Sequence, residues 1–179
     1  MNDRRIAIAT LLLLAGALAC RDAKPPAPRE GIPASLWVEL EGEPFELELA
    51  LDAETRQRGL SGRSSIAANG GMLFVSTREQ PQAMVMRDCA VPIDVAFLDF
   101  AGNVVALHEM RPELPRRPGE SALEYESRLR VYPSGVPAGF AIETAGGRMA
   151  ELGLAVGDQV ALDAARLLEL ARRAKAGTR

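Results

Sequence analysis

GMLFVSTREQPQAMVMRDCAVPIDVAFLD, Gly71 to Asp99, is the stretch whose reading decides the fold. Apolar runs at Met72–Val75, Ala83–Met86 and Val91–Phe100 have the length and β-branched or aromatic content of strands. Between the last two lies a compact polar knot, Met86-Arg87-Asp88-Cys89, closed by Pro92 and Asp94. Methionines, a thiol, an arginine and two carboxylates gathered beside a proline turn make this the first place to look for a site.

Working outward, strands continue on both sides. Leu36–Glu41 and Phe45–Leu51 read as a hairpin about Gly42. Phe45, Leu47, Leu49 and Leu51 alternate with Glu46, Glu48 and Ala50, the period of a half-buried strand. Asp52 then reads as the N-cap of a short helix, AETRQRGL, stopped by Gly59. Downstream, Gly102-Asn103 turns the chain into a strand at Val104–His108. Residues 111–131 are polar and proline-bearing and read as a long loop, with a helical turn at Ala122–Leu129. Further strands are expected at Phe140–Glu143 and Gln159–Leu162, with a short helix at Ala145–Leu152 between them. Asp163 caps a terminal amphipathic helix, AARLLELARRAK. Strands outnumber helices and do not alternate with them as βαβ units. The expected fold is mainly β: a single antiparallel β-sandwich or barrel-like domain with a few short helices.

Domain organisation follows from composition. The chain has 179 residues, 47% hydrophobic and 25% charged, enough for one domain with flanking segments. Residues 1–19 read as a signal peptide: Arg4 and Arg5 precede an apolar run from Ile6 to Ala19 that is short for a membrane span. Ala17-Leu18-Ala19 suits ordinary signal peptidase. The same residues followed by Cys20 resemble a lipobox, although the position that usually carries Leu is Ala17. The expectation is a lipidated Cys20, with a soluble periplasmic form as the alternative. Residues 20–35 then form a tether, with Pro25, Pro26, Pro28 and Pro33 in a segment too poor in apolar residues to pack a core. Residues 36–163 make the β domain and 164–179 the C-terminal helix. The expected location is the cell envelope, facing the periplasm, with the membrane reached through the lipid.

Charge and cysteine count exclude several classes. A net charge of -3 offers no basic field for nucleic acid. With Cys20 lipidated, Cys89 has no partner for a disulfide, and two cysteines make no structural zinc site. No P-loop, dinucleotide fingerprint, H-E-x-x-H or G-x-S-x-G is present, so no cofactor is expected.

The ordered motifs carry a resemblance. Arg56-x-Arg58-Gly59-Leu60-x-x-Arg63, Gly71-Met72-Leu73-Phe74 and Met86-Arg87-Asp88-x-x-x-Pro92-Ile93-Asp94-x-x-Phe97-Leu98-Asp99 resemble domain-of-unknown-function family 192. Tyr132-Pro133-Ser134, Pro137-Ala138, Ala145-Gly146 and Gly157-Asp158 extend it across about residues 36–163. The resemblance implies a compact, mainly β, often exported domain and no established activity. The chain departs from the family pattern at Val85, where Trp is usual, at Arg87-Asp88-Cys89, where Lys-Asn-Thr is usual, and at Ser61, where Met is common.

Three chemistries compete at the knot. Arg58, Arg63 and Arg87 beside Asp88 and Asp94 suit a small polar or anionic ligand, since guanidinium forks match carboxylate and phosphate; a structural ion-pair network is the plainer reading. Met86, His108 and Met110 offer soft ligands for copper(I), against ordinary core and strand packing. Asp88 and Asp94 could pair as the carboxylates of a hydrolase-type enzyme. Cys89 as a nucleophile would need a cationic neighbour to lower its pKa, against the plain reading of a small core residue in the place of Thr. The favoured expectation is a non-enzymatic binding module for a small ligand or an envelope protein.

Overall fold

A computed structural model describes residues 30–176; the expected signal peptide, Cys20 and most of the expected tether lie outside the described residues. The hairpin about Gly42 is formed by β1 (Ser35–Leu40) and β2 (Glu43–Ala50), paired from Ser35↔Glu48 to Leu40↔Glu43. Its two-residue turn holds Glu41 at φ 46° and Gly42 at φ 80°, the positive pair that matches the strands' twist. Phe45, Leu47 and Leu49 face inward as their alternation predicts.

Helix α1 (Ala53–Arg58) starts in a capping box: Thr55 N donates to Asp52 Oδ1 at 2.9 Å, and Asp52 N donates to Thr55 Oγ1 at 3.2 Å. Arg56 Nη1 donates to the carbonyls of Leu51 and Val75 at 3.1 and 3.2 Å, tying the helix to the sheet. The chain then returns to the start of β2's neighbour, so β3 (Gly70–Met84) runs parallel to β2. This parallel pair departs from the antiparallel expectation. The segment around α1 is long enough to act as a crossover, which a tight turn cannot do.

β3 also joins the two short strands expected at Met72–Val75 and Ala83–Met86 into fifteen residues, with irregular pairing between Val75 and Gln80 and between Pro81 and Ala83. β4 (Ile93–Leu98) and β5 (Val104–Met110) form the second hairpin. Asp99 shapes its turn by accepting from the amides of Ala101 and Asn103, both at 2.9 Å. α2 (Ala122–Arg128) stands in the long loop where a helical turn was expected, and β6 (Tyr132–Ala145) follows. α3 (Arg148–Leu152) is shorter than the sequence suggests, because Gly147 takes a φ of 85° at its start. Residues 159–162 form only a bridge, Asn103↔Gln159, in place of the expected strand. α4 (Ala164–Ala176) is capped by Asp163, whose Oδ1 accepts from Arg166 N at 3.0 Å.

The fold is mainly β as expected, built as one six-stranded mixed sheet in the order β1-β2-β3-β6-β4-β5. It buries both faces without a second sheet. On one face α4 lays Leu167, Leu170, Ala171 and Ala174 over Leu73, Ala96, Phe140 and Ile142. The other face carries Met72, Phe74, Val95, Phe97 and Ala141, covered by Met86, Cys89, Leu60, Met110 and Tyr132. Each buried Leu or Phe contributes about 1.5–3 kcal/mol. β6 lies at the centre of the sheet beside β3, and β4 next to it is buried at all six positions, so a polar side chain on β4 or β6 has no easy route to water.

Candidate functional site

Phe140-Ala141-Ile142-Glu143-Thr144 shows what this centre does to a carboxylate. Side chains alternate along β6, so Ile142 faces α4 and Glu143 faces the opposite cluster with Ala141. Its cross-strand neighbours are Met72 on β3 and Val95 on β4, both apolar. Glu143 is 6% exposed, and its Oε2 has no hydrogen-bond partner among the described residues. An unpartnered buried polar group costs about 1–3 kcal/mol, and natural folds rarely keep one without use. Burial pushes the carboxyl up to about 8, against the pull of Arg63. Arg63 is itself forked onto Glu48 at 2.6 and 2.7 Å.

Glu143 forms the floor of a cavity of about 190 Å³, partly open to solvent. The end of α1 supplies Arg56, Gln57 and Arg58; Gly59, Leu60 and Ser61 follow. The far end of β3 and the knot supply Met84, Val85, Arg87 and Cys89, and Phe74 lies alongside. Gly59 keeps the space open. It holds φ 52°, and a Cβ there would lie 3.4 Å from Phe74 Cζ and 3.6 Å from Glu143 Oε2.

The three arginines of the cavity differ. Arg56 is spent on backbone carbonyls. Arg87 is forked onto Glu126 of α2, through Nε to Oε1 and through Nη2 to Oε2 at 2.7 Å. Arg58 is half-buried and has no hydrogen-bond or ion-pair partner among the described residues. Burial, then the charge of Glu143, push the Cys89 thiol up to about 11, away from the thiolate a nucleophile needs, and its Sγ lies 3.4 Å from the Arg87 carbonyl.

The structure thus brings together only part of the group predicted from sequence. Arg58 and Arg87 line the cavity. Arg63 acts on Glu143 through its field. Asp88, at φ 52°, accepts from the Tyr125 hydroxyl at 3.1 Å, and its amide donates back to that oxygen at 3.1 Å. Asp94 projects to the other face, where it accepts from the amides of Gly147 and Met149, both at 2.9 Å, and pins α3. The two carboxylates are committed separately, so the hydrolase-type pair has no geometry here. Met86 and Met110 are fully buried in the apolar cluster, and His108 Nε2 donates to the Pro133 carbonyl at 2.8 Å. Packing holds the two methionines, and His108 also lies edge-on to the rings of Phe97 and Tyr132.

Residues 111–131 fold over the knot. Arg128 bonds Glu120 and the carbonyls of Leu114 and Pro115, and its hydrogen bonds hold the Glu120 carboxyl down at about 2. α2 then presents Glu126 to Arg87 and Tyr125 to Asp88. The residue that sequence reasoning missed is Glu143. Its signal was a lone carboxylate inside an apolar strand, which a period-2 reading takes for a solvent-facing position.

Two solved structures resemble this one. A protein of unknown function from Novosphingobium aromaticivorans DSM 12444 aligns at TM-score 0.58 and 22% identity, covering 80% of this chain and 96% of its own. A suggested transcription regulator from Sinorhizobium meliloti 1021 aligns at TM-score 0.54 and 26% identity, covering 70% of this chain and 88% of its own. No curated protein matches the chain. A family model, DUF192 ("Uncharacterized ACR, COG1430"), matches residues 36–162, which span both faces of the sheet and the whole cavity, and the chain belongs to that family.

Proposed function

We propose that this protein is a non-enzymatic binding module of the cell envelope, tethered through a lipid on Cys20, whose cavity takes a small polar ligand with an anionic group. One observation carries the reading: a cavity with an unpaired half-buried cation, Arg58, at its wall and an unpartnered buried carboxyl, Glu143, at its floor. Perturbed groups in a concave site mark binding or catalysis more often than structure. Binding is favoured over catalysis because Cys89 holds its proton and Asp88 and Asp94 are engaged elsewhere. At about 190 Å³ the cavity is below the roughly 300–1,000 Å³ of sites for drug-sized molecules, so the ligand is small.

The role suggested for the S. meliloti protein is not carried over. A net charge of -3 argues against a phosphate-backbone partner. The lipid anchor rests on the Arg4–Cys20 sequence and the proline-rich segment behind it.

Calorimetric titration of the full chain with acetate, inorganic phosphate and glycine, whose carboxylate is its anionic group, tests the cavity. Saturable binding of one of them that Arg58→Gln weakens at least tenfold supports the reading; no binding, or binding indifferent to Arg58, rejects it. Mass spectrometry of the membrane fraction tests the anchor, and a Cys20→Ala variant that still fractionates with membranes counts against it.

A further inference from the structure

We infer that the ligand of this cavity is a small zwitterion, one bearing both an ammonium and a carboxylate, with Glu143 receiving the ammonium and Arg58 the carboxylate. The inference rests on the cavity being the binding site and adds the chemical class of what enters it.

Charge complementarity carries the argument. A ligand that is only an anion would meet Arg58 but would bring no donor for Oε2 and leave it unpartnered. A ligand that is only a cation would meet Glu143 but would enter past Arg56, Arg58 and Arg87. A zwitterion satisfies both ends at once. The wall between them is apolar, with Leu60, Phe74 and Met84, and suits the short carbon link that joins the two charges. A cavity of about 190 Å³ suits a short amino acid such as glycine, alanine or β-alanine. Gly59, with no Cβ, leaves the line to Oε2 clear.

The site also couples binding to a proton. With its carboxyl near 8, Glu143 is mostly neutral at pH 7. An ammonium arriving at Oε2 favours the carboxylate, so the proton leaves as the ligand binds. The charged and titratable groups around Glu143 are few. Arg63 acts through its field, Arg56 and Arg58 come from α1, and Arg87 and Cys89 come from the knot. Cys89 stays neutral to about 11, and the flanking strands contribute Met72 and Val95, which carry no charge. Glu143 is therefore the group in this set that exchanges a proton near neutrality.

The test is calorimetric titration of the full chain at pH 7 in two buffers of different ionisation enthalpy. Glycine, L-alanine and β-alanine are compared with acetate, propionate and glycolate. The expected result is at least one amino acid binding tenfold or more tighter than the carboxylate of its size, with net release of close to one proton. In Glu143→Gln that preference falls at least tenfold and the proton release disappears. Because proton release is read on the unaltered chain, a poorly folding variant leaves the test intact. Carboxylates binding as tightly as amino acids, or amino acids binding without proton release, overturn the zwitterion inference while the anion-binding reading stands. Failure of all six probes to bind overturns both.

Discussion

Replacing Glu143 by Gln keeps volume and polarity and removes only the ionisation, so it isolates the energetics of the buried carboxyl. The folded-state value of about 8 lies above the ordinary 4.5. Between those two values the unfolded chain has shed the proton and the folded chain still holds it. The unfolded state then binds fewer protons, so stability falls as pH rises. The contribution of the protonated group is complete below about pH 4.5 and is lost by about pH 8. At about 1.4 kcal/mol per unit, the displacement amounts to about 5 kcal/mol at full extent, a large part of the 5–15 kcal/mol of a typical domain. Urea unfolding of parent and variant from pH 4 to 9 reads it directly. Cys89, the thiol that Glu143 also raises, titrates above most of this range, so the difference between the chains below about pH 8 belongs to Glu143. The variant should match the parent within about 1 kcal/mol near pH 4, gain steadily above it, and level off near pH 8. Parallel curves would refute the burial argument, and a gap that opens toward acid would reverse its sign.

Three further outcomes follow from the contacts. Asp94→Ala strips the amides of Gly147 and Met149 of their acceptor and should cost about 2–3 kcal/mol by thermal unfolding; Asp94→Asn, which keeps an oxygen, should cost less. Iodoacetamide should label Cys89 slowly at pH 7 in a Cys20→Ala chain and about tenfold faster per pH unit above it, because a thiol near 11 is on the order of one ten-thousandth ionised at neutrality. Glu126→Gln should cost less than about 1 kcal/mol globally, since the pair with Arg87 is partly exposed, yet it should speed amide exchange in α2 while β4 and β6 stay protected.

Local signals in the sequence predicted local structure well. The alternation at Phe45–Leu51, the Asp52 cap with its Gly59 stop, and the Gly102-Asn103 turn all set geometry through neighbours a few residues away. What escaped is non-local. The parallel pairing of β2 with β3 and the insertion of β6 between β3 and β4 bring together segments far apart in the chain. No periodicity records that. The same cause hid the site. Arg58 and Arg87 stand out among the residues of the knot and the first helix, but Glu143 is placed beneath them only by the position of β6. Asp94 shows the converse. Its nearness to Arg87 in sequence suggested a shared site, and the alternation of β4 turned it to the far face.

Carboxyl ¹³C NMR of the full chain, with the Glu143 resonance assigned by its loss in Glu143→Gln, tests the central claim most directly when titrated with pH in the absence and presence of glycine. The account predicts a midpoint near 8 for the free protein, moved down by about two units or more at saturating glycine. A midpoint in the ordinary range near 4.5, or one near 8 that glycine leaves in place, would contradict it.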